Sequence, residues 1–162
     1  MKGATHLPAG VIAGLLTIPL SMGSESVISV GIMPIAGAIG GLFPDIDQPC
    51  SKIGRKVKPF SVVVNFLFGH RGLTHNLGIW ILAFVSWLCL TDKVSGICSD
   101  MFLAFILGAF SHLLLDALTP HGIPTFGGKQ IHLAKIRTGS FMELIIRIVL
   151  WVIAILLALN II

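Results

Sequence analysis

His112 and Asp116 stand four residues apart in the apolar run Phe110-Ser-His-Leu-Leu-Leu-Asp116, a spacing that stacks two side chains on one helix face. An imidazole and a carboxylate so placed can share a metal ion, or the carboxylate can orient the imidazole from behind. Asp45 and Asp47 lie two apart in Gly41-Leu-Phe-Pro-Asp-Ile-Asp47. They would diverge on a helix, but a turn after Pro44 lets them converge, one binding and one bridging. His70 and His75, in Gly69-His-Arg-Gly-Leu-Thr-His75, are separated by a glycine-containing turn that allows the same. His6 and His121 bring the candidate ligands to eight. Nitrogen and carboxylate donors without a cysteine set suit zinc first, with manganese or iron as alternatives. The number of donors accommodates one or two divalent ions. Each residue also has an ordinary role open to it: a hydrogen-bonded core histidine for His112, a helix-end pairing with Arg71 for Asp116, a cap for Asp45, plain exposure for His6. Their joint occurrence favours the metal reading.

The elements that must position these groups are apolar runs. The chain of 162 residues is 55% hydrophobic and 11% charged, with a mean hydropathy of +0.96. Soluble domains carry about 25% charged residues, so this chain reads as an all-α, polytopic membrane protein forming a single domain over residues 1–162. Five runs approach the length of a transmembrane helix: Leu7–Met22, Val27–Phe43, Leu77–Leu90, Met101–Leu118 and Phe141–Ile161. Pro8, Gly14 and Pro19 interrupt the first, a pattern that predicts a kinked, tilted or partly re-entrant segment. Phe60–Phe68 is too short to cross and suits an interfacial helix. The first run resembles a signal peptide, but no small-x-small cleavage site follows, so it is read as retained. Of three cysteines, Cys89 and Cys98 flank one loop and would pair only if that loop faced an oxidising compartment.

The charges of the loops set an orientation. Lys52, Arg55, Lys56, Lys58 and Arg71 fall in one connecting segment, and Lys129, Lys135 and Arg137 in another. Five spans with the N-terminus inside put both on the cytoplasmic side. The net charge of +4 is thus a topology signal and a contact for anionic headgroups, not a sign of nucleic-acid binding. On this topology all eight candidate ligands fall at the cytoplasmic boundary, although they come from four stretches of chain. His132 has no such companions and is not counted as a ligand. In Arg137-Thr-Gly-Ser-Phe-Met-Glu143, Ser140 and Glu143 have capping-box spacing. Arg137, Ser140 and the helix-start amides can also receive a phosphate. Arg71, between two candidate ligands, is the better phosphate contact.

The ordered set His6, Phe43-Pro-Asp-Ile-Asp47, Gly69-His-Arg-Gly-Leu-Thr-His75, His112-Leu-Leu-Leu-Asp-Ala-Leu-Thr-Pro-His121 and Arg137-Thr-Gly-Ser140 resembles a bacterial inner-membrane, LexA-regulated family, the YdjM-like membrane-bound metal-dependent hydrolases. The resemblance covers nearly the whole chain. It implies a multi-pass inner-membrane protein whose expression follows the DNA-damage (SOS) response, with no contact to DNA implied. It also implies Asp45, Asp47, His70, His75, His112 and Asp116 as site residues, with His6 beside them. His121 falls where the family pattern is less regular.

Together these expectations describe a hydrolase acting on a phosphoester of a lipid or lipid-linked substrate at the cytoplasmic face. A bound metal would activate water, Arg71, with Arg137 as a second candidate, would stabilise developing charge, and Asp47 or Asp116 would accept a proton. No Ser or Cys stands in an activated-nucleophile motif, so water is the nucleophile. A metal-ion or proton transporter would place ionisable groups near the membrane midplane, and the middles of the first three runs hold none. A non-catalytic metal-binding module would close the coordination shell.

Overall fold

The computed structural model describes residues 1–20, 27–68, 72–91, 93–94, 96–125 and 129–161. Its helices are α1 (Gly3–Thr17), α2 (Val27–Leu42), α3 (Lys52–Lys56), α4 (Lys58–Phe68), α5 (Leu77–Leu90), α6 (Ile97–Ala117) and α7 (Phe141–Ile161). A 3-10 turn, Phe43–Asp47, extends α2, and a hairpin pairs β1 (Ile123–Pro124) with β2 (Gln130–Ile131). The five apolar runs are thus α1, α2, α5, α6 and α7, and the short run is α4. α1 continues as a helix through Pro8 and Gly14. By length and composition, Val30–Asp47, Ile97–Ala117 and Phe141–Asn160 are able to cross a membrane, while α1, α4 and α5 are shorter apolar helices. α7 leaves Ile148, Val152, Ile155 and Leu159 exposed, as expected of a helix that faces lipid. Cys50, Cys89 and Cys98 are free and exposed.

Glycines set how closely α1, α2 and α6 approach. A Cβ on Gly10 would stand 2.4 Å from the carbonyl oxygen of Gly37, and one on Gly14 2.1 Å from that of Met33. A Cβ on Gly108 would stand 2.1 Å from the Gly37 oxygen and 2.9 Å from the Gly41 nitrogen. Only hydrogen fits in such gaps, so backbone lies on backbone, the small-residue packing of helices in lipid. The residue order of these contacts makes α1 and α2 antiparallel. The start of α1, the end of α2 and the end of α6 therefore meet at one end of the bundle.

Two devices complete that end. The indole Nε1–H of Trp80 donates to the Thr74 carbonyl at 2.7 Å, which fixes the turn before α5. Trp80 is buried with Ala109, Leu113, Ala117 and Ile123, so α5 and the hairpin both seat on α6. Beyond the hairpin, the N–H groups of Leu133 and Ile136 donate to the carbonyls of Ala117 and Leu118 at 2.8 and 2.9 Å. This strap satisfies carbonyls that the end of α6 leaves open.

A histidine and aspartate centre at one end of the bundle

His112 lies one helical turn beyond Gly108, so the close approach of α2 and α6 brings its ring to the end of α2. Its Nδ1–H donates to the Gly41 carbonyl at 2.8 Å. His75 is held differently: its Nδ1–H donates to Asp47 Oδ2 at 3.1 Å, and the Thr74 hydroxyl donates to the same oxygen at 2.8 Å. Asp47 is kept in place by its own backbone, whose carbonyl accepts from Asn65 Nδ2 of α4 at 2.7 Å. Because each Nδ1 faces an acceptor, each ring donates from that side, and both Nε2 atoms turn toward one point. Those two Nε2 atoms stand 3.3 Å apart. His75, His112 and Asp47 are all buried.

Two carboxylates close on the same point. Asp45 Oδ1 lies 3.9 Å from His75 Nε2 and 3.8 Å from His112 Nε2, and Asp116 Oδ2 lies 3.8 and 3.9 Å from them. The helical spacing of His112 and Asp116 therefore does place both on one site. Two donors about 2.1 Å from a zinc-sized ion at the tetrahedral angle stand about 3.4 Å apart. The gaps of 3.3 to 3.9 Å among Asp45, His75 and His112 suit three donors able to contract slightly around a cation, and His6, His112 and Asp116 form a second such group. Asp45, with 16% of its side chain exposed, is the open member of the set; His75, His112 and Asp116 are at 3% or below. Any approach from outside therefore comes past Asp45.

The other face of Asp116 belongs to α1. His6, fully buried, stacks on His112 with ring centroids 3.6 Å apart, and its Nε2 lies 3.4 Å from Asp116 Oδ1. The Met1 ammonium donates to the same oxygen. His6 Nε2 also lies 3.3 Å from the Met1 carbonyl. With acceptors at Nε2, His6 keeps its lone pair on Nδ1, a buried atom with no hydrogen-bond partner. Asp116 thus presents one oxygen to His75 and His112 and the other to His6.

Glu143 ties α1 to this end. Buried at the start of α7, it accepts from the Lys2 N–H at 2.6 Å, the Thr5 hydroxyl at 2.9 Å and the Gly139 N–H at 2.5 Å. Sequence reasoning saw only its capping role, and that is half present: Ser140 Oγ accepts from the Glu143 N–H at 3.3 Å. The carboxylate turns instead to α1, one turn before His6. A lone acid at the start of the apolar run Phe141–Ile161 was the available signal.

The structure therefore gathers His6, Asp45, Asp47, His75, His112 and Asp116, with Asp47 behind His75 and not at the centre. Arg137 is exposed and Ser140 half-buried, and Ser140 acts as the helix cap. His121 and His132 are exposed and stand outside the candidate ligand groups found among the described residues. His70 and Arg71 lie outside the described residues. The Gly41 carbonyl, Thr74 and Glu143 are the contributors that motif reading missed.

Apolar helices joined by a buried histidine–aspartate cluster define a class of helical membrane protein with a polar centre. The chain belongs to the YdjM inner membrane protein family, whose model matches residues 1–161. Uncharacterized protein YvsG of Bacillus subtilis (strain 168) is 36% identical over 147 residues, covering 88% of this chain and 85% of that protein. Inner membrane protein YdjM of Escherichia coli (strain K12) and that of Shigella flexneri are each 37% identical over 83 residues, 51% of this chain and 42% of theirs. No solved structure matches the chain. This is an inner-membrane family, in keeping with the apolar helices.

Proposed function

We propose that this chain is a multi-pass, membrane-bound, metal-dependent hydrolase whose centre faces the cytoplasm and cleaves a phosphoester of a lipid or lipid-linked substrate. His75 Nε2, His112 Nε2 and Asp45 would hold a divalent cation, zinc first and manganese or iron as alternatives, with a coordination position left open for water. The observation that carries this reading is the pair of Nε2 atoms 3.3 Å apart, both turned to one point because their Nδ1 atoms donate elsewhere. Two buried lone pairs facing each other are repulsive unless a positive charge lies between them. His6, His112 and Asp116 form the second group at which another ion would bind.

When bound, the ion would polarise a phosphoryl oxygen and bring the pKa of a water near neutrality. The chain's own residues do the rest. Asp47 and the Gly41 carbonyl hold the two imidazoles in one tautomer and one orientation, a role that raises ligand basicity. The position left open beside Asp45, the partly exposed member of the set, is where a water would reach the ion. Asp47 and Asp116, the bases expected from sequence, are engaged by His75 with Thr74 and by His6. Arg71 is the residue proposed to meet the phosphoryl charge. The loop charges favour the cytoplasmic side, and Asp45 at the membrane boundary suits a headgroup more than a soluble metabolite.

A proton shared between the two Nε2 atoms would also relieve their repulsion, and it supports a second reading as a proton-handling membrane protein. Metal analysis of the detergent-purified chain, with phosphoesterase assays on a lipid panel for wild type, His75→Ala and Asp45→Ala, separates the two. About one equivalent of metal and lipid turnover, both lost in the variants, is the expected result. Metal-free wild type with proton flux in liposomes would overturn the hydrolase reading in favour of the second. Tight metal without turnover on any lipid would leave a metal-binding module.

A further inference from the structure

A second cleft lies outside the histidine–aspartate centre, where α2 meets α3. Ile39, Leu42 and Ile53 form its walls and Arg55 and Lys56 its rim, around a volume of about 560 Å³. This is within the range of sites that hold small molecules, about 300–1,000 Å³. We propose that this cleft binds an anionic phospholipid, with its phosphate on Arg55 and Lys56 and an acyl chain against Ile39, Leu42 and Ile53.

Three observations carry the assignment to a lipid. First, the apolar wall belongs to a helix able to cross a membrane, Val30–Asp47, and Ile39 is about half exposed on its flank. The cleft therefore opens onto the surface that hydrocarbon covers. Second, Arg55 and Lys56 are exposed, and neither has an ion pair or side-chain hydrogen bond among the described residues. Unpaired cations above an apolar cleft complement an anionic headgroup joined to a tail, and complement neither a soluble anion nor a neutral lipid as well. Third, the following helix fixes the depth. α4 turns Ser61 and Asn65 inward and leaves Phe60, Val63, Phe66 and Leu67 exposed. Such a face enters the interfacial region of a bilayer, which sets the neighbouring α3 at headgroup level.

The cleft is also coupled to the aspartate turn. Ser51 caps α3 by accepting from the Gly54 N–H at 2.8 Å, and its own hydroxyl donates to the Asp45 carbonyl at 2.8 Å. A lipid on α3 would thus steady the segment that carries Asp45. The lipid site does not depend on hydrolysis or on metal, so its test reads binding alone.

The full chain, purified in detergent and mixed with equal amounts of phosphatidylglycerol and phosphatidylcholine, is assayed by native mass spectrometry for retained lipid. Each cation near a lipid surface contributes about fivefold, so wild type is expected to prefer the anionic lipid about thirtyfold. Arg55→Gln/Lys56→Gln should bring the two lipids close to parity, while Lys129→Gln/Lys135→Gln keeps the preference. Ile53→Asn should weaken retention of the anionic lipid, and glycerol phosphate at equal concentration should not displace it. Matching elution and melting of each variant with wild type shows that the fold is kept. Preference undiminished in Arg55→Gln/Lys56→Gln, or equally lost in the remote pair, would overturn the site. Displacement by glycerol phosphate would overturn the lipid in favour of a free phosphate.

Discussion

Replacing Gly108 by Ala tests the link between helix packing and the polar centre. The added Cβ would stand 2.1 Å from the Gly37 carbonyl oxygen, whereas ordinary contact begins at 3.4 Å. The two backbones must therefore separate by about 1.3 Å, the difference between those distances. His112 rides on α6 one turn away, and its bond to the Gly41 carbonyl is 2.8 Å. Added to it, that separation gives about 4 Å, beyond hydrogen-bond reach. Overpacking costs about 1–3 kcal/mol and the lost buried bond about 1 kcal/mol more. Equilibrium unfolding in mixed micelles should show a loss of about 2–4 kcal/mol, and metal affinity should fall about 10–100-fold as His112 loses its fixed tautomer. Gly31→Ala is the control, since a Cβ there meets nothing within 4 Å and should leave stability unchanged or raise it by about 0.5–1 kcal/mol. Equal stability and equal metal in the two variants would refute the argument that Gly108 sets the site.

Asp47→Asn keeps the shape but weakens the hold on His75, and should lower metal affinity about 10–100-fold with little change in melting, read by chelator competition. Glu143→Ala leaves the Lys2 N–H, Thr5 hydroxyl and Gly139 N–H without their acceptor and should cost about 2–4 kcal/mol. Glu143→Gln should recover most of that, and a variant pair with equal melting would contradict the clamp. Acidification should strip the metal, because protons compete for the two Nε2 lone pairs; dialysis across a pH series should find occupancy falling toward low pH, never rising.

Much of the site was legible because its parts are costly in apolar surroundings. His112 and Asp116 four apart predict a shared face, and the loop charges alone gather Asp45, His75 and His6 to the same end. The roles were less legible. Asp45 and Asp47 look equivalent in Phe43-Pro-Asp-Ile-Asp47, and only the 3-10 turn aims one at the centre and the other at the back of His75. The Gly41 carbonyl is invisible to motif reading, since every residue has one. The spacings Gly10 to Gly14 and Gly37 to Gly41 were a packing signal available in the sequence, but which helices they join is a tertiary fact. Glu143 has one local meaning as a cap and a second, toward Lys2 and Thr5, that needs a contact 138 residues distant.

The central claim is that His75 and His112 share a cation. The direct measurement is metal content per chain, by mass spectrometry of the purified protein, for wild type, His75→Ala and His112→Ala. About one tightly held divalent ion in wild type and almost none in either folded variant is the expected result. A wild type without metal after purification in its presence, or variants that keep the full amount, would contradict it.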